Sequence, residues 1–237
     1  MIKKILLTLF VAAMAVTLGA CTLPWTKEET STSETVSDND VSANSAVSRL
    51  GFKEGNIYKN EYFNFKLIPA TGYSFIDSAA MSELSERGDD ILNGAVDAVS
   101  KETAEVIKSD SNREAACCVA DENMLNNVLV GIMPSYGMTA DDINDYIDYL
   151  GPMVNEVFEY QEMTGVSSVR LTTIFRGEAV PCLCSQAIII APDGGTVNMY
   201  QKQVFIVEGD YMAQITACSY FSDVTDKLLD MISYLRK

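Results

Sequence analysis

Histidine is absent from the chain. Without imidazole side chains, the sequence excludes Ser-His and Cys-His nucleophile pairs, histidine zinc ligands and histidine-based proton transfer. A glycine-rich phosphate loop, a Gly-x-Ser-x-Gly nucleophile turn and an EF-hand spacing are missing as well. Carboxylate pairs remain as the option for acid-base catalysis. Acidic side chains cluster in residues 83–90 and 141–148, where we expect them to solvate helix surfaces and stabilise a helix N-terminus.

Basic residues are scarce, with 17 Lys plus Arg against 33 Asp plus Glu and a formal net charge of −16. Nucleic-acid binding needs a basic face that neutralises phosphates, so the composition argues against a nucleic-acid partner. The same charge disfavours electrostatic adhesion to anionic lipid head groups. A cationic partner or a divalent metal is compatible with the charge. A solvated acidic surface is the favoured interpretation, and no metal site is predicted.

Residues 1–20 have the three parts of a secretory signal peptide. A basic start at Lys3 and Lys4 is followed by an apolar segment over residues 5–18 and then by small residues. The apolar segment is too short and too differently flanked to be a permanent membrane span. The pattern therefore predicts export of the remaining chain.

The stretch Leu18-Gly19-Ala20-Cys21 resembles the bacterial lipobox. The resemblance implies cleavage between Ala20 and Cys21 and attachment of a diacylglyceryl group to the Cys21 thiol. Each buried methylene contributes about 0.8 kcal/mol, so two or more acyl chains give stable anchoring. We expect a protein on the extracytoplasmic face of a bacterial cell membrane, at a Gram-positive surface. The covalent lipid on Cys21 is the expected membrane contact, and no other cofactor is predicted.

Residues 26–48 are rich in Ser, Thr, Asp, Glu, Asn and Val, and they contain no glycine, aromatic residue or hydrophobic periodicity. This composition predicts a disordered spacer with a reach of roughly 25 Å. The expected organisation has three segments. They are a lipoprotein signal peptide at 1–20, a lipidated cysteine with an acidic Ser/Thr-rich linker at 21–48, and a single globular domain at 49–237.

Hydrophobic periodicity in the globular part predicts an α+β fold. Helices are predicted at residues 78–87 and 89–108 with a break at Gly88, after the N-cap Thr139, and from about Ser222 to the end. Strands are predicted at residues 56–59, 63–68, 72–75, 115–120, 127–133, 169–175, 179–190, 197–207 and 211–218. The last four have short links and therefore predict an antiparallel meander.

Both ends of the globular part resemble PsbP-like proteins. In that family a Tyr-x-Asn leads to a Gly-Phe strand and then to Pro-x-Gly-Trp. The matching stretches are Tyr58-Lys59-Asn60, Phe63-Asn64-Phe65-Lys66-Leu67, Pro69 through Gly72-Tyr73, and Gly209-Asp210-Tyr211 before Ile215-Thr216. Asn64 stands where glycine is usual, and Tyr73 replaces the tryptophan.

The resemblance implies an α/β/α sandwich around a mainly antiparallel sheet, in a family composed mainly of binding or assembly proteins. We therefore expect a non-catalytic module that binds a protein or cell-envelope partner through the sheet rim or an aromatic groove. Fold likeness alone does not fix function. Two alternatives stay open, namely a carboxylate-based hydrolase or enzyme accessory, and a lipoprotein that binds a metal or small ligand.

Five cysteines lie in predicted strands of the globular part: Cys117, Cys118, Cys182, Cys184 and Cys218. The strand period of two places Cys182 and Cys184 on one face, and it places Cys117 and Cys118 on opposite faces. Three interpretations stay open. The thiols are buried and free, one or two disulfides form as in other exported proteins, or Cys182 and Cys184 contribute to a thiolate metal site.

Aromatic residues are concentrated in the first strands of the globular part. Tyr58, Tyr62 and Tyr73 are the candidates for an aromatic binding surface. Because strand residues alternate between two faces, packing in the core is the expected role of most aromatic side chains in this stretch. A contiguous exposed group would favour a binding surface instead.

Overall fold

The structure is a computed structural model that describes residues 48–109, 113–191 and 193–236. Its strands are β1 (Phe52–Glu54), β2 (Ile57–Asn60), β3 (Phe65–Leu67), β4 (Tyr73–Phe75), β5 (Glu114–Asp121), β6 (Asn126–Pro134), β7 (Thr164–Phe175), β8 (Glu178–Ile190), β9 (Thr196–Glu208), β10 (Tyr211–Tyr220) and β11 (Ile232–Tyr234). Its helices are α1 (Ser78–Ala95), α2 (Lys101–Ser109), α3 (Ile143–Tyr160) and α4 (Thr225–Leu229), with a 3-10 turn at Ala140–Asp142.

The larger sheet has seven strands in the order β4-β5-β6-β10-β9-β8-β7. Neighbouring strands in this order are antiparallel, which confirms the predicted meander over β7 to β10. The predicted pairing of β5 with β6 is also confirmed. Val128, Val130 and Ile132 of β6 pack together on one face of the sheet, as their alternation predicts.

One face of this sheet is covered by α1, α2 and α3. The apolar stripe of α3 is buried there, and the Tyr146 ring meets Phe205 of β9 edge-on, with ring centroids 5.1 Å apart. Thr139 begins this segment as predicted, since its backbone N–H and hydroxyl both donate to the Asp142 carboxylate at 2.8 Å. This cap gives the Thr139 N–H a partner at the start of the helical segment.

The opposite face is covered by a smaller sheet in the order β1-β2-β3-β11 and by α4. Phe65 and Leu67 of β3 are fully buried between the two sheets. The α+β class with mainly antiparallel sheets is therefore confirmed. In the described residues this second layer is chiefly a sheet, whereas an α/β/α sandwich places helices on both faces.

The predicted helix break at Gly88 is wrong, because α1 continues through this buried glycine to Ala95. A glycine inside a helix costs only about 1 kcal/mol relative to alanine, which packing of the apolar face of α1 can offset. The break lies just before α2. There Ser100 caps the new helix, since its hydroxyl accepts from the Thr103 N–H at 3.2 Å, and its own N–H donates to Glu156 of α3 at 2.8 Å.

The predicted closing helix is wrong after Leu229. The chain turns at Asp230 and forms β11, in which Ile232 pairs with Leu67 and Tyr234 pairs with Phe65. β1 was not predicted either. β11 is specified by backbone pairing with β3, more than 160 residues earlier, and this pairing overrides the local apolar spacing. β1 instead forms a short local hairpin with β2.

Asn60 joins the beginning of the described chain to the smaller sheet. Its Nδ2 donates to the Arg49 carbonyl at 2.8 Å and to Tyr58 Oη at 3.0 Å, and its Oδ1 accepts from the Phe63 N–H at 3.0 Å. Tyr58 Oη in turn donates to the Leu50 carbonyl at 2.6 Å. Asn60 is fully buried, so each of these bonds replaces water that the side chain has lost.

Backbone geometry explains which residue types occupy two turn positions of the smaller sheet. Gly51 has a φ of 65°, and a Cβ at this position would lie 2.4 Å from the Lys59 carbonyl oxygen, so only glycine fits. Asn64 has a φ of 51°, in the left-handed region that glycine and asparagine tolerate best. Its side chain also accepts from the Arg236 N–H at 3.0 Å, which ties the turn to the end of the chain.

Replacing Asn60 with alanine should lower the free energy of unfolding by about 2–3 kcal/mol, because the buried Phe63 N–H and the Arg49 carbonyl lose their partners. Urea unfolding followed by circular dichroism measures the change. Asn93→Ala on the exposed side of α1 is the matched control and should stay within about 0.5 kcal/mol of the parent chain. An equally small effect of Asn60→Ala would contradict the role given to this side chain.

Candidate functional site

A cleft of about 610 Å³ opens where β5 begins. One wall is formed by residues 50–53, which include the start of β1, and the other by the first turns of α1. The floor consists of the beginning of β5 together with Tyr58, Phe75 and Ile76. We call this feature the edge cleft. It brings together the edge of the smaller sheet, the edge of the larger sheet and part of the aromatic stretch.

The floor of the edge cleft includes a stretch of β5 with an open side. β4 pairs with β5 only from Val119 to Asp121. β6 pairs along the other side of β5 from Glu114, with a bulge between Ala115 and Cys117. Within the described ranges no strand pairs with the cleft side of residues 114–117. Such an edge offers backbone donors and acceptors to an added strand.

The buried polar groups of the floor, Cys117 and Tyr58, are neutral at physiological pH. Burial raises the pKa of the Cys117 thiol well above its ordinary value. Burial also raises the pKa of the Tyr58 hydroxyl, so both groups keep their protons. Phe75, Ile76 and Met81 contribute apolar surface beside them. The floor therefore favours apolar groups of a ligand over charged ones.

Lys53 supplies an exposed positive charge at the mouth of the edge cleft. Its Nζ lies 4.7 Å from the centroid of the Phe75 ring. The other charges of the rim are balanced, because Glu114 forms an ion pair with Arg49 and Arg113 interacts with Asp89 of α1. A lysine here stands out in a chain with a net charge of −16. It favours a ligand that carries a negative group.

These features provide surfaces on which a ligand can bind. Glu114 contributes the carboxylate among the described lining residues, and this carboxylate forms an ion pair with Arg49. An acid-base pair of carboxylates needs two such groups with separated pKa values, and the described lining residues of the edge cleft contain one. The unpaired edge, the apolar floor and Lys53 instead match an extended peptide segment with apolar and acidic side chains.

The three tyrosines proposed as an aromatic surface are not assembled into one. Tyr58 is buried beneath the edge cleft, where its hydroxyl is hydrogen-bonded. Tyr62 stacks edge-on with Tyr211 at 5.9 Å, beside the Pro134 end of β6. Tyr73 lies at the other end of β6, through its pairing with Asp121. Eight residues of strand separate these ends by roughly 26 Å.

Cys117, Cys118 and Cys218 are free thiols in the structure. Cys117 packs towards the smaller sheet and Cys118 towards α1, as the strand period predicts. Burial raises the pKa of Cys118, and it raises the pKa of Cys218 to about 12. These three thiols are therefore poor nucleophiles that behave as small apolar side chains.

Cys182 and Cys184 point to the same face of β8, and their Sγ atoms lie 3.4 Å apart. Cys182 is fully buried, whereas Cys184 is half-buried and lines an open groove of about 360 Å³. Val169 and Leu171 of β7 form the apolar wall of this groove, and Lys202 of β9 is also a lining residue. We call it the thiol groove.

Charged groups surround the thiol groove. Lys202 Nζ donates to Asp226 Oδ1 at 2.6 Å, and the Thr173 hydroxyl donates to the same oxygen at 2.8 Å. The hydrogen bond with Cys182 lowers the pKa of Cys184, and Lys202 lowers it further. The same hydrogen bond and burial raise the pKa of Cys182. The pair therefore consists of an accessible, more acidic thiol and a buried, less acidic one.

The acidic clusters serve local structure. Asp142 completes the cap with Thr139, and the hydrogen bonds from Thr139 lower the pKa of its carboxyl. Asp148 accepts from Arg170 Nε at 2.9 Å across to β7. Glu83 forms an ion pair with Arg87 one turn later in α1. These carboxylates lie apart from the lining residues of both the edge cleft and the thiol groove.

Ala20 and Cys21, the predicted cleavage and lipid sites, lie outside the described residues. Within residues 48–109, 113–191 and 193–236, no group of three or more His, Cys, Asp or Glu side chains is placed to hold a metal ion. A helix long and apolar enough to cross a membrane was not found in the same part of the chain.

Sequence reasoning missed several residues of the edge cleft, namely Phe52, Lys53, Arg113 and Glu114. Phe52 is 49% exposed on β1, and it follows Gly51 at the point where the globular part begins. The sequence does carry one signal for these residues, namely the change in composition from the polar spacer to Gly51-Phe52-Lys53. The link between this stretch and β5 depends on packing between segments about sixty residues apart, which periodicity does not report.

An anilinonaphthalene sulfonate dye combines an apolar ring system with a negative group, and it should bind the edge cleft. Lys53→Glu should weaken this binding about fivefold or more, because a cation at the mouth becomes an anion. Fluorescence titration measures the dissociation constant. Lys101→Glu on exposed α2 is the matched charge control and should leave it unchanged. Equal weakening by both variants would show that overall charge, and not the edge cleft, controls binding.

No family model matches the chain, and a search of curated proteins finds no significant match.

Proposed function

We propose that the protein is a bacterial extracytoplasmic lipoprotein whose globular domain binds an extended segment of an envelope protein in the edge cleft. The open side of β5 at residues 114–117 is the observation that supports this most directly. Adding a strand to a sheet edge supplies backbone hydrogen bonds without a catalytic group. The module is accordingly proposed to be non-catalytic.

The anchor is proposed from the sequence of residues 1–21. The basic start, the apolar segment and the Leu18-Gly19-Ala20-Cys21 lipobox stand in the order that lipid attachment needs. Acylated Cys21 would hold the domain at the outer face of the membrane. A tether through residues 21–48 leaves the domain room to reach a partner within the cell envelope.

A PsbP-like origin of the domain is proposed from its opening turns. The Tyr-x-Asn motif supplies Tyr58 and Asn60, whose hydrogen bonds fix the wall of the edge cleft. Asn64 replaces the usual glycine at a φ of 51°, which both residues adopt readily. These positions support common ancestry with PsbP-like proteins. The binding or assembly role is proposed by analogy with that family.

The partner is proposed to present a segment with apolar and acidic residues. Apolar side chains would contact Phe52, Phe75 and Met81, and an acidic side chain would approach Lys53. Charge complementarity of this kind mainly selects partners and speeds association. The remaining acidic surface of the domain would repel other acidic segments.

Cys21→Ser should release the protein from the membrane. The serine hydroxyl cannot form the thioether that carries the diacylglyceryl group, so stable anchoring is lost. Fractionation of cells that produce the full-length chain, followed by immunoblotting, measures the membrane-bound share. Cys118→Ser is the control and should remain in the membrane fraction. Retention of Cys21→Ser in that fraction would contradict the anchor.

Photo-crosslinking from Phe52 tests the binding site. With p-benzoylphenylalanine at this position of the full-length chain, we expect one discrete protein adduct in the producing bacterium. Ser82→Trp should abolish the adduct because an indole fills the cleft from exposed α1. Asn93→Trp, on the same helix outside the cleft, should preserve it. Mass spectrometry identifies the partner and the residues joined.

Three results would overturn the proposal. The first is the absence of an adduct from Phe52, and the second is an adduct that persists in Ser82→Trp. The third is the same adduct from p-benzoylphenylalanine at Ile190, which is 58% exposed and belongs to β8. Robust turnover by the purified chain in a broad hydrolase screen would contradict the non-catalytic part separately.

A further inference from the structure

We propose that Cys182 and Cys184 form a dithiol site that exchanges with low-molecular-weight disulfides, Cys184 acting as the attacking thiol and Cys182 as the resolving thiol. This activity is independent of partner binding in the edge cleft. The 3.4 Å separation of the two Sγ atoms places the resolving sulfur in contact with the attacking one. Burial of Cys182 and access to Cys184 through the thiol groove assign the two roles.

The surroundings of Cys184 favour its thiolate. The Cys182 hydrogen bond stabilises the negative sulfur, and the Lys202 ammonium adds a positive charge beside it. Asp223 and Asp226 oppose this effect, but Asp226 is itself paired with Lys202. The net direction is a pKa of Cys184 below that of an ordinary thiol. No comparable stabilisation acts on buried Cys118, whose pKa is raised.

The position of the pair on β8 makes the exchange reversible. Residues two apart in a strand have Cα atoms about 6.4–6.8 Å apart, at the upper limit for a disulfide. The Cys182–Cys184 bond would therefore be strained and readily reduced. The pairing of β8 with β9 begins at Leu183, so Cys182 is paired only with Leu171 of β7. This leaves the strand free to bend at Cys182 when the bond forms.

The size and lining of the thiol groove indicate the substrate class. A volume of about 360 Å³ is suited to a small molecule. Val169 and Leu171 are each about half exposed and offer apolar contact to a substrate. Lys202, which is paired with Asp226, and Asp223 place charges of both signs at the groove, which suits a substrate with groups of both signs. A disulfide with amino-acid-like ends combines these properties.

The exchange balances in two steps. The Cys184 thiolate attacks one sulfur of the substrate disulfide, which forms a mixed disulfide and releases the first substrate thiolate to take a proton from water. Cys182 then loses its proton to water and attacks Cys184 Sγ, which breaks the mixed disulfide and releases the second thiolate. Two electrons pass from the cysteine pair to the substrate, and the products are two thiols and the Cys182–Cys184 disulfide.

Oxidised glutathione in large excess, which drives formation of the strained bond, serves as the probe for the fully reduced, full-length chain carrying Cys21→Ser, so that the Cys21 thiol adds no reaction of its own. Two equivalents of glutathione should be released, and peptide mass mapping should find a Cys182–Cys184 disulfide. Cys182→Ala should stop at a glutathione adduct on Cys184 with one equivalent released. Cys184→Ser, a change at a half-buried position, should slow the reaction at least about tenfold because the remaining thiol is buried. Cys118→Ser is the control and should react like the parent chain.

The pH profile separates this role from simple exposure. Lys202→Gln should move the midpoint of Cys184 alkylation to higher pH, since the positive charge that stabilises the thiolate is removed, whereas Lys101→Gln should leave it in place. Absence of a Cys184 adduct in Cys182→Ala would overturn the assignment of the attacking thiol. Accumulation of the mixed disulfide in the parent chain would overturn the resolving role of Cys182. An unchanged rate in Cys184→Ser would overturn the site altogether.

Discussion

The buried amide of Asn60 is the interaction on which the candidate binding site depends. It holds the Arg49 carbonyl, the Tyr58 hydroxyl and the Phe63 N–H in one place, inside a region where water cannot replace any of them. The chain before β1 is thereby fixed against the smaller sheet, and this segment is one wall of the edge cleft. A polar side chain at the centre of a packed region specifies one arrangement, because every other arrangement leaves buried groups without partners. The edge cleft therefore has a defined shape although its wall belongs to strands of only three or four residues.

The two sides of the larger sheet end differently. At one side β4 covers only three residues of β5, and the exposed edge lies recessed between β1 and α1. At the other side β7 runs for twelve residues and exposes Val169, Leu171 and Ile174. Open edges promote unwanted association, and proteins limit this with charge or by covering the edge. Arg170 and the strong net negative charge protect β7, whereas the recess protects β5 and still admits a narrow strand. The β7 edge is therefore protected from pairing with another chain, whereas the β5 edge is accessible to an added strand.

Most features set by neighbouring residues could be predicted, although the local β1–β2 hairpin was missed, and features set by distant pairing could not. The strands of the meander, the cap at Thr139 and the shared face of Cys182 and Cys184 follow from local periodicity and were correct. The closing helix failed because Ile232 and Tyr234 pair with β3, more than 160 residues earlier. The break at Gly88 failed because burial of Leu84 and Leu92 on either side outweighs the cost of one glycine. Lys202 and Asp226 reach the cysteine pair only through the register of β8 and β9 and the position of α4, which no local pattern contains.

The edge cleft and the thiol groove lie far enough apart to act separately. Four strand spacings separate β5 from β8, a distance of roughly 19 Å, and the smaller sheet and α4 pack against the strands between them. The two sites share no lining residue. Substitutions at such a distance add independently in their effects on stability, unless a common element moves. α4 is the element that comes nearest to connecting the two sites. Its Asp226 pairs with Lys202 at the thiol groove, and its Leu228 and Leu229 pack beneath the smaller sheet. Oxidation of the cysteine pair would consequently affect partner binding only through a displacement of α4.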